Sequence, residues 1–310
     1  MKFTTMNKII NFHHITDSAW LDNMITYLKT KYKFISVEEI YEYYQGTLDL
    51  RNTCHITIDD GDKSFYKYIF PVLKKHNVSA SLYVSPKIIK ERSNYWFQEI
   101  RGYNQIELRR IISDMSGISS QYLEKKHIES ILKSFKISQI HEIINRYRKI
   151  TRTSKKGFQN MTIDNLKEVN QSGLVTIGAH TLNHPILKNE DDISSRYEIE
   201  ESIQELSTIL NQKIEYFAFP NGIPELDFSE REINYLRELE IHLTFTTESR
   251  NFSIADDMLS IPRIGVSDAE GMLLFKSKML LGSLWNPLVK LKPNGEFKER
   301  KKIIKSFSTK

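Results

Sequence analysis

The fold of this chain is decided by two short segments, Ile56-Thr57-Ile58-Asp59-Asp60-Gly61 and Gly178-Ala179-His180-Thr181-Leu182-Asn183-His184-Pro185. Each segment is an apolar, β-prone run that ends abruptly in polar side chains. In barrels and open α/β sheets, functional groups collect where parallel strands end and the following loops begin. We therefore predict that both segments end strands at the same edge of one sheet, so that their polar groups face a common site.

Short β-rich runs alternate with longer helical patterns along most of the chain. This alternation predicts a parallel α/β architecture, in which several strands are buried on both faces as a barrel or doubly wound sheet requires. The predicted strands are Lys8–Phe12, Thr53–Ile58, Ser79–Val84, Leu174–Ala179, Ile214–Phe219 and Ile241–Thr246. The predicted helices are Ala19–Thr30, Val37–Gln45, Ser64–His76, Ile163–Gln171, Ile193–Asn211, Glu230–Leu239 and Asp268–Leu281.

One stretch, from about Trp96 to Phe158, breaks this alternation. It contains no convincing strand, and its helical patterns fall at Gln105–Ile112, Ser120–Ser134 and Ile137–Tyr147. We interpret residues of about 97–158 as a helical insertion between two core units. Such an insertion either decorates the surface or forms a cap over the substrate opening, and the pattern does not choose between the two.

The first deciding segment offers two adjacent carboxylates, Asp59 and Asp60. Neighbouring residues of a strand point to opposite sides, so both carboxylates can enter one pocket only if the chain turns there. Gly61 permits such a turn. The alternative is that Asp-Asp-Gly is a simple turn with no ligand.

The second segment offers two imidazoles, His180 and His184, which share a face if the loop coils into one helical turn. The spacing resembles that of metalloproteases, but Thr181 stands where those enzymes carry Glu. A catalytic base must then come from elsewhere, and Asp59 is available. Although each cluster alone is a weak signal, together they favour an Asp/His/His metal set with one spare carboxylate, which is enough to activate a water molecule.

Composition sets the broad class of the protein. The chain has 310 residues, of which 40% are hydrophobic and 27% charged, and this suits one large globular domain or two small ones. No segment reaches the roughly 20 uninterrupted apolar residues of a membrane span. The first residues lead into only a very short apolar run, so we expect no signal peptide. Cys54, the single cysteine, is expected to be a buried structural thiol, and a reduced cytosolic setting fits best.

The positive charge of the chain lies in its C-terminal segment. Residues 290–310 contain eight Lys and Arg against two Glu, a net +6, which leaves −1 for the rest of a chain whose total is +5. A solvated or frayed C-terminus is the interpretation we favour, and weak attraction to an anionic membrane surface is the alternative. Nothing resembles a nucleic-acid-binding motif, so no nucleic-acid partner is expected.

Five segments, spread in order from about Asn7 to Leu281, resemble the motifs of the polysaccharide deacetylase family. Thr57-Ile58-Asp59-Asp60-Gly61 resembles Thr-Phe-Asp-Asp-Gly, with Ile58 in place of Phe. His180-Thr181-Leu182-Asn183-His184 fits His-Ser/Thr-x-x-His. Phe217-Ala218-Phe219-Pro220-Asn221-Gly222 resembles Phe-Ala-Tyr-Pro-Tyr-Gly. Ile261-Pro262-Arg263-Ile264 resembles a late Pro-Arg segment, and Asn11-Phe12-His13-His14-Ile15 a Tyr-His-x-Val strand end.

The resemblance implies a fold and a reaction. The fold would be a distorted (β/α) barrel with fewer than eight complete strands, formed by residues 1–285 with the helical insertion at about 97–158, and followed by a basic tail at 286–310. The reaction would be the metal-dependent removal of N-acetyl groups from chitin-like, peptidoglycan or related glycans.

The resemblance also implies roles for single residues. Asp60, His180 and His184 would hold a divalent metal, expected to be zinc. Asp59 would be the general base, and Arg263 would hold it ionised and oriented. A backbone N–H at Asn221 would assist the developing oxyanion.

The proton donor for the leaving amine departs from the pattern of the family. Many members of the family carry a late Leu-x-His as general acid, but no histidine follows His242 here, and His242 is expected to be structural. His13 is our candidate donor, and a packed core histidine is the alternative for it. His14 is expected to lie at the surface or behind the site.

Three functions remain open at this point. The leading hypothesis is an N-deacetylase that acts on an N-acetylated sugar or a glycan intermediate in the cytoplasm or at the inner face of the membrane. The alternatives are an amidohydrolase of a small acylated molecule and a glycan-binding barrel without catalysis.

Overall fold

A parallel sheet lies at the centre of the computed structural model, which describes residues 6–281 and 296–308. Its strands are β1 Lys8–Phe12, β2 Lys33–Phe34, β3 Thr53–Asp59, β4 Ala80–Val84, β5 Val175–Ala179, β6 Tyr216–Ala218, β7 Leu243–Phe245 and β8 Ile264–Gly265. They lie in the order β7-β6-β5-β4-β3-β1-β8, and β2 pairs with β3 beside this path. The predicted distorted barrel with fewer than eight complete strands is confirmed, because β2 and β8 have only two residues each.

Strand register brings the deciding segments to one edge of the sheet. Phe12 of β1 pairs with Ile58 of β3 in parallel, and Val84 of β4 pairs with Ala179 of β5. The residues that follow these strands therefore leave the sheet at the same end. All seven residues of β3 are buried, which agrees with the apolar run that precedes Asp59 in the sequence.

The helices surround the sheet, and most predicted helices end within two residues of the observed ones. The barrel helices are α1 Ser18–Lys29, α2 Val37–Tyr44, α3 Phe70–His76, α4 Pro86–Lys90, α10 Ile163–Gln171, α11 Asp192–Leu210, α12 Glu230–Glu238 and α13 Gly271–Leu281. A π-helical turn, Phe65–Ile69, leads into α3, and a 3-10 turn, Asp268–Glu270, leads into α13. Local capping supports the prediction, since Asp17 caps α1 and Ser36 with Glu39 forms a capping box at α2.

The insertion is helical, as predicted, and has a hydrophobic core of its own. Its helices are α5 Trp96–Ile100, α6 Gln105–Ser116, α7 Ser120–Glu124, α8 Ile128–Leu132 and α9 Ile137–Thr151. The single helix predicted over Ser120–Ser134 was wrong, because this stretch divides into α7 and α8. Its buried side chains form a cluster separate from the barrel core, with Ile111, Ile140 and Tyr147 among its members.

The described part of the C-terminal segment is not the solvated or frayed chain that we favoured from the sequence. Residues 296–308 form a helix, α14 Glu296–Ser308, whose Arg300 and Ile303 are fully buried. Ile303 completes the core of the insertion, and Arg300 forms an ion pair of 2.6 Å with Asp227 in the barrel. A solvated or frayed segment is therefore wrong for these residues. Counting charges could not show that Arg300 and Ile303 share one face of a helix while the lysines occupy the other.

Residues 282–295 and 309–310 lie outside the described residues, so the predicted bounds of the tail remain a prediction. None of the helices in the described ranges combines the length and the apolarity needed to cross a membrane.

Candidate active site

Three predicted metal ligands meet where β3 and β5 end. The Nε2 atom of His180 lies 3.7 Å from Oδ1 of Asp60, and Nε2 of His184 lies 3.6 Å from the same oxygen. One ligand atom from each residue falls within 4.8 Å of the others. All three side chains are buried.

Unpaired polar atoms in this group indicate what it would bind. Oδ1 of Asp60 and Nε2 of His180 are buried without a hydrogen-bond partner among the described residues. Leaving such atoms unpaired is unfavourable, and a cation between them would satisfy both. Carboxylate oxygen and imidazole nitrogen are ligands that zinc accepts, and three protein ligands leave one position open, as in catalytic zinc sites. The residues therefore fit a divalent metal ion.

The protonation state of His180 also suits a metal ligand. Its Nδ1 lies 2.6 Å from the backbone oxygen of Ala218, so this nitrogen carries the proton and Nε2 keeps its lone pair. Burial lowers the pKa of His180 to about 4, which leaves the ring neutral at pH 7. The Ala218 carbonyl belongs to the third motif-like segment, so two of the sequence motifs meet at this ring.

The backbone turns at the ligands themselves. Asp60 has φ of 74° and Gly61 φ of 70°, so the turn expected at Gly61 begins one residue earlier. This turn separates the two neighbouring carboxylates, since Asp59 pairs with Arg263 whereas Asp60 faces the histidines. The histidine loop does not coil into the helical turn that was considered as one way for the two rings to share a face, because Thr181 and His184 also have positive φ, 62° and 57°.

A buried carboxylate on α11 holds the histidine loop instead. Oε2 of Glu198 accepts hydrogen bonds from the backbone N–H groups of Leu182 and Asn183, at 3.0 and 2.9 Å, and its Oε1 accepts one from the Asn183 amide at 2.6 Å. We did not predict this residue. Its signal in the sequence is a Glu on the buried face of a helix, between Ser195 and Ser202, where an apolar residue is the usual occupant.

Asp59 is held as a buried anion. The guanidinium of Arg263 donates to both of its carboxylate oxygens at 2.8 Å, and the Asn11 amide donates to Oδ2 at 3.1 Å. Burial alone would raise the pKa of Asp59, but the Arg263 charge outweighs it and holds that pKa well below its usual range. Arg263 is itself fixed, since it donates to the backbone oxygen of Thr246 at 2.9 Å.

Arg263 therefore lies where the resemblance expected an orienting residue. Asn11, which we did not single out, follows from register, because its strand neighbour across β1 and β3 is Thr57, two residues before Asp59.

The two early histidines line the same cavity. Nε2 of His13 lies 3.8 Å from Oδ2 of Asp59, and about half of its side chain (51%) is exposed, so the alternative of a packed core histidine does not hold. Nδ1 of His14 lies 3.1 Å from Asp62, at the edge of the cavity. His242 is remote from this group, stacked at 4.2 Å on the ring of Tyr41, as its structural assignment requires.

The cavity over the site has a volume of about 280 Å³ and lies between the barrel and the insertion. The insertion supplies one wall of it, formed by Trp96, Phe97, Gln98, Arg101, Glu129 and Lys133. This placement favours a cap over the opening rather than a remote decoration. Asn221 lies on the barrel side with φ of 58°, and its side-chain nitrogen has no hydrogen-bond partner within the described part of the chain.

Residues 49–244 match the family model described as polysaccharide deacetylase. The chain belongs to the polysaccharide deacetylase family. Within the matched range lie Asp59, Asp60, His180, His184 and Asn221. His13 and Arg263 lie outside that range. Family membership supports deacetylation of glycans as the general reaction, and the metal dependence of this family agrees with the Asp/His/His group described above.

Solved structures show the same fold at low sequence identity. The Streptococcus pyogenes deacetylase PplD, in complex with acetate, is 19% identical, with 88% of this chain and 98% of that chain covered and a TM-score of 0.60. IcaB from Ammonifex degensii is 17% identical, with 89% and 97% covered and a TM-score of 0.59. A de-N-acetylase from Aggregatibacter actinomycetemcomitans is 16% identical, with 88% and 99% covered and a TM-score of 0.61. No curated protein matches the chain by sequence.

Proposed function

We propose that this member of the polysaccharide deacetylase family is a zinc-dependent hydrolase that removes an N-acetyl group from an N-acetylated sugar or glycan intermediate. The observation that carries the proposal is the pairing of two buried groups at one end of the sheet. One group is the Asp60, His180 and His184 set, in which Oδ1 of Asp60 and Nε2 of His180 have no hydrogen-bond partner among the residues that the structure describes. The other is the Asp59 carboxylate, held ionised by Arg263 beside it.

In this proposal Asp60, His180 and His184 hold the ion, which when bound would polarise the acyl carbonyl and lower the pKa of a water molecule. Asp59 accepts the proton of the attacking water. Arg263 keeps Asp59 deprotonated at neutral pH and fixes its two oxygens, although the same charge weakens it as a base.

Two other cavity residues, Asn221 and His13, would act on the acyl oxygen and on the leaving nitrogen of the amide. Asn221 would offer its backbone N–H to the oxygen on which negative charge develops, and its side-chain nitrogen, which has no hydrogen-bond partner among the described residues, lies in the same cavity. His13 would give a proton to the departing amine, since its ring is exposed to the cavity and lies beside Asp59. Oδ2 of Asp59 and Nε2 of His13 lie 3.8 Å apart, so one bridging water molecule would carry a proton from Asp59 back to His13 and reset both groups for the next turnover.

The test is release of acetate from acetylated sugars by the zinc-loaded protein. Oligomers of N-acetylglucosamine, the monosaccharide and a simple acetamide form three arms, which separate a glycan enzyme from a small-molecule amidohydrolase. We expect acetate from the sugar arms and a loss of activity of about 10²- to 10⁴-fold in Asp59→Asn. Sugar binding without acetate release from any arm would refute the hydrolase and support the glycan-binding barrel.

We also propose that the protein works in the cytoplasm and contacts the anionic inner face of the membrane through α14. Its buried Arg300 faces the barrel, whereas Lys298, Lys301, Lys302 and Lys305 are exposed. Each lysine near an anionic lipid surface contributes on the order of 1 kcal/mol. Co-sedimentation with phosphatidylglycerol vesicles should therefore fall in a Lys301→Gln/Lys302→Gln variant.

The matched control for the vesicle experiment is Lys31→Gln/Lys149→Gln, which removes the same charge from two exposed lysines elsewhere. Equal sedimentation of both variants and the wild type, or no preference for anionic over neutral vesicles, would refute the contact.

A further inference from the structure

Three consecutive aromatic residues at the start of the insertion contact the metal ligands directly. The Tyr95 hydroxyl donates a hydrogen bond of 2.7 Å to the backbone oxygen of Asp60. The Trp96 indole N–H donates one of 3.2 Å to the backbone oxygen of His184. The Phe97 ring meets the His184 ring nearly edge-on, with 5.1 Å between centroids. Two of the three ligands are thus bound from outside their own strands and loops.

The two carbonyls that accept these bonds belong to ligands with unusual backbone conformation. Asp60 and His184 both have φ in the left-handed region, at 74° and 57°. A non-glycine residue in this region carries a strain of roughly 1 kcal/mol or more and persists only when its surroundings hold it there. In this molecule the surroundings include the hydroxyl of Tyr95 and the indole of Trp96, both of which are buried.

The aromatic residues are in turn anchored in the insertion. The backbone N–H of Tyr95 donates to Oε1 of Gln98 at 2.9 Å, and the Gln98 amide donates to Oδ1 of Asn160 at 2.8 Å. Asn160 lies just beyond the end of the insertion, so this contact ties its two ends together. Trp96 also belongs to the hydrophobic cluster of the insertion. Packing of the insertion helices is therefore mechanically linked to the backbone of the metal ligands.

We propose that Tyr95 and Trp96 are positioning residues through which the helical insertion and the metal centre stabilise each other. The inference rests on the proposed function in one respect, namely that Asp60, His180 and His184 hold a metal ion. It adds that the affinity for the ion depends on whether the insertion is packed against the barrel with the Tyr95 and Trp96 hydrogen bonds formed. By thermodynamic reciprocity, the bound ion must then also favour this packed position of the insertion.

The first test measures zinc affinity, with a chromogenic chelator as competitor, for variants that each lose one donor. Tyr95→Phe removes the hydroxyl and Trp96→Phe removes the indole N–H, while both keep an aromatic ring. Loss of a residue that hydrogen-bonds to a metal ligand commonly weakens metal binding about 10- to 100-fold, and we expect the zinc affinity of each variant to fall within that range. Urea unfolding of the metal-free proteins shows whether each variant is folded, and the shift in its midpoint is compared with the shift in affinity.

The chain offers a matched control for the indole. Trp20 on α1 is buried, and its N–H has no hydrogen-bond partner among the residues that the structure describes. Trp20→Phe therefore makes the same chemical change and removes a similar ring area without removing a hydrogen bond. We expect its zinc affinity to stay within about twofold of the wild type, even if its unfolding midpoint falls.

The second test needs no variant. Hydrogen–deuterium exchange of the wild-type protein, with and without zinc, should show slower exchange in the peptide that carries α5 Trp96–Ile100 when zinc is bound. The peptide that carries α12 Glu230–Glu238 serves as the internal reference, because its described side chains bond to residues such as Ser195 and Asp192 rather than to the three ligands.

The outcomes separate this inference from the function on which it rests. If the wild type binds zinc and both donor variants bind it equally well, the positioning role is refuted while the metal centre stands. If zinc leaves exchange in α5 unchanged, reciprocity fails and the proposal falls with it. If the wild type binds no zinc, the metal centre is refuted, and the positioning role is refuted with it.

Discussion

Removal of Arg263 should destabilise the protein strongly, because it leaves a buried negative charge without its partner. The Arg263 side chain is fully buried, Asp59 is nearly so, and two donated bonds of 2.8 Å join them. In Arg263→Met the Asp59 carboxylate keeps, within the described part of the chain, the hydrogen bond from the neutral Asn11 amide and the half-exposed His13 ring at 3.8 Å. Removing one partner of a buried ion pair costs about 3–5 kcal/mol, and we expect a loss of that size in the free energy of unfolding.

A double-mutant cycle separates the pair from the packing of its side chains. Asp59→Asn alone leaves the Arg263 charge buried without its partner, so it should also lower the free energy of unfolding. The double variant contains neither charge and therefore leaves no buried charge unpaired. We therefore expect the double variant to lose at least about 2 kcal/mol less than the sum of the single losses. The assay is urea unfolding at pH 7 with chelator present, followed by far-ultraviolet circular dichroism.

Two further variants test the reasoning. Arg263→Lys keeps the positive charge but not the planar guanidinium that donates to both carboxylate oxygens. Its free energy of unfolding should therefore lie between those of the wild type and Arg263→Met. Arg237→Met removes an arginine that is 52% exposed and whose nearest carboxylates among the described residues lie at 3.9 Å, so it should cost less than about 1 kcal/mol. Additivity of the two single losses within about 0.5 kcal/mol would refute a coupled buried pair.

Three other predictions follow from single contacts. A Cβ added at Gly178 would lie 2.5 Å from the Tyr83 ring, so Gly178→Ala should lower the free energy of unfolding by about 1–3 kcal/mol in urea titrations, and an unchanged midpoint would contradict the packing. Glu198→Gln keeps a side-chain acceptor for the loop N–H groups, whereas Glu198→Ala removes this acceptor from the Asn183 N–H and leaves the Leu182 N–H only its 3.2 Å bond to the backbone oxygen of residue 198. Zinc affinity should therefore fall clearly more in Glu198→Ala than in Glu198→Gln, and equal affinities would contradict the role of Glu198 in holding the loop. Burial lowers the pKa of His55 to about 4, so the unfolded chain binds its proton first as pH falls, and stability on the order of 3 kcal/mol should be lost between about pH 6.5 and 4. His55→Gln should lose less over that interval in urea titrations of the metal-free protein, and an equal loss would show that His55 does not titrate as described.

The ligand set could be predicted from the sequence because each of its parts is local. Asp59 is the last residue of a seven-residue buried strand and Asp60 directly follows it, and His180 and His184 follow the next strand but one. Parallel pairing then brings the ends of these strands together whatever the rest of the chain does. The local conformation was harder to predict, because positive φ at Asp60 and His184 depends on contacts made by distant segments.

Three residues that act across the fold were found only in the structure. Glu198 lies on a helix after the histidine loop, and Tyr95 and Trp96 lie at the start of the insertion, yet all three bind the backbone at or beside the ligands. No periodicity in a single sequence records such pairings. The strands β2 and β8 were missed for another reason, since two residues are too few to show an alternating pattern.

The C-terminal segment shows how net charge can mislead. A positive count suggested a solvated tail, but helical spacing places Arg300 and Ile303 three residues apart on one buried face. The lysines that remain exposed then form a face of their own. Position along the helix, rather than the sum of charges, decides which residues meet solvent.

The most direct test of the account is the metal content of the purified protein, measured by elemental mass spectrometry beside His184→Ala and Asp59→Asn variants. The account predicts close to one zinc or similar divalent ion per chain in the wild type, retained in Asp59→Asn, which does not ligate it, and lost in His184→Ala. Absence of metal from the wild type even after addition of zinc, or full retention in His184→Ala, would contradict the Asp60, His180 and His184 centre on which the proposed reaction depends.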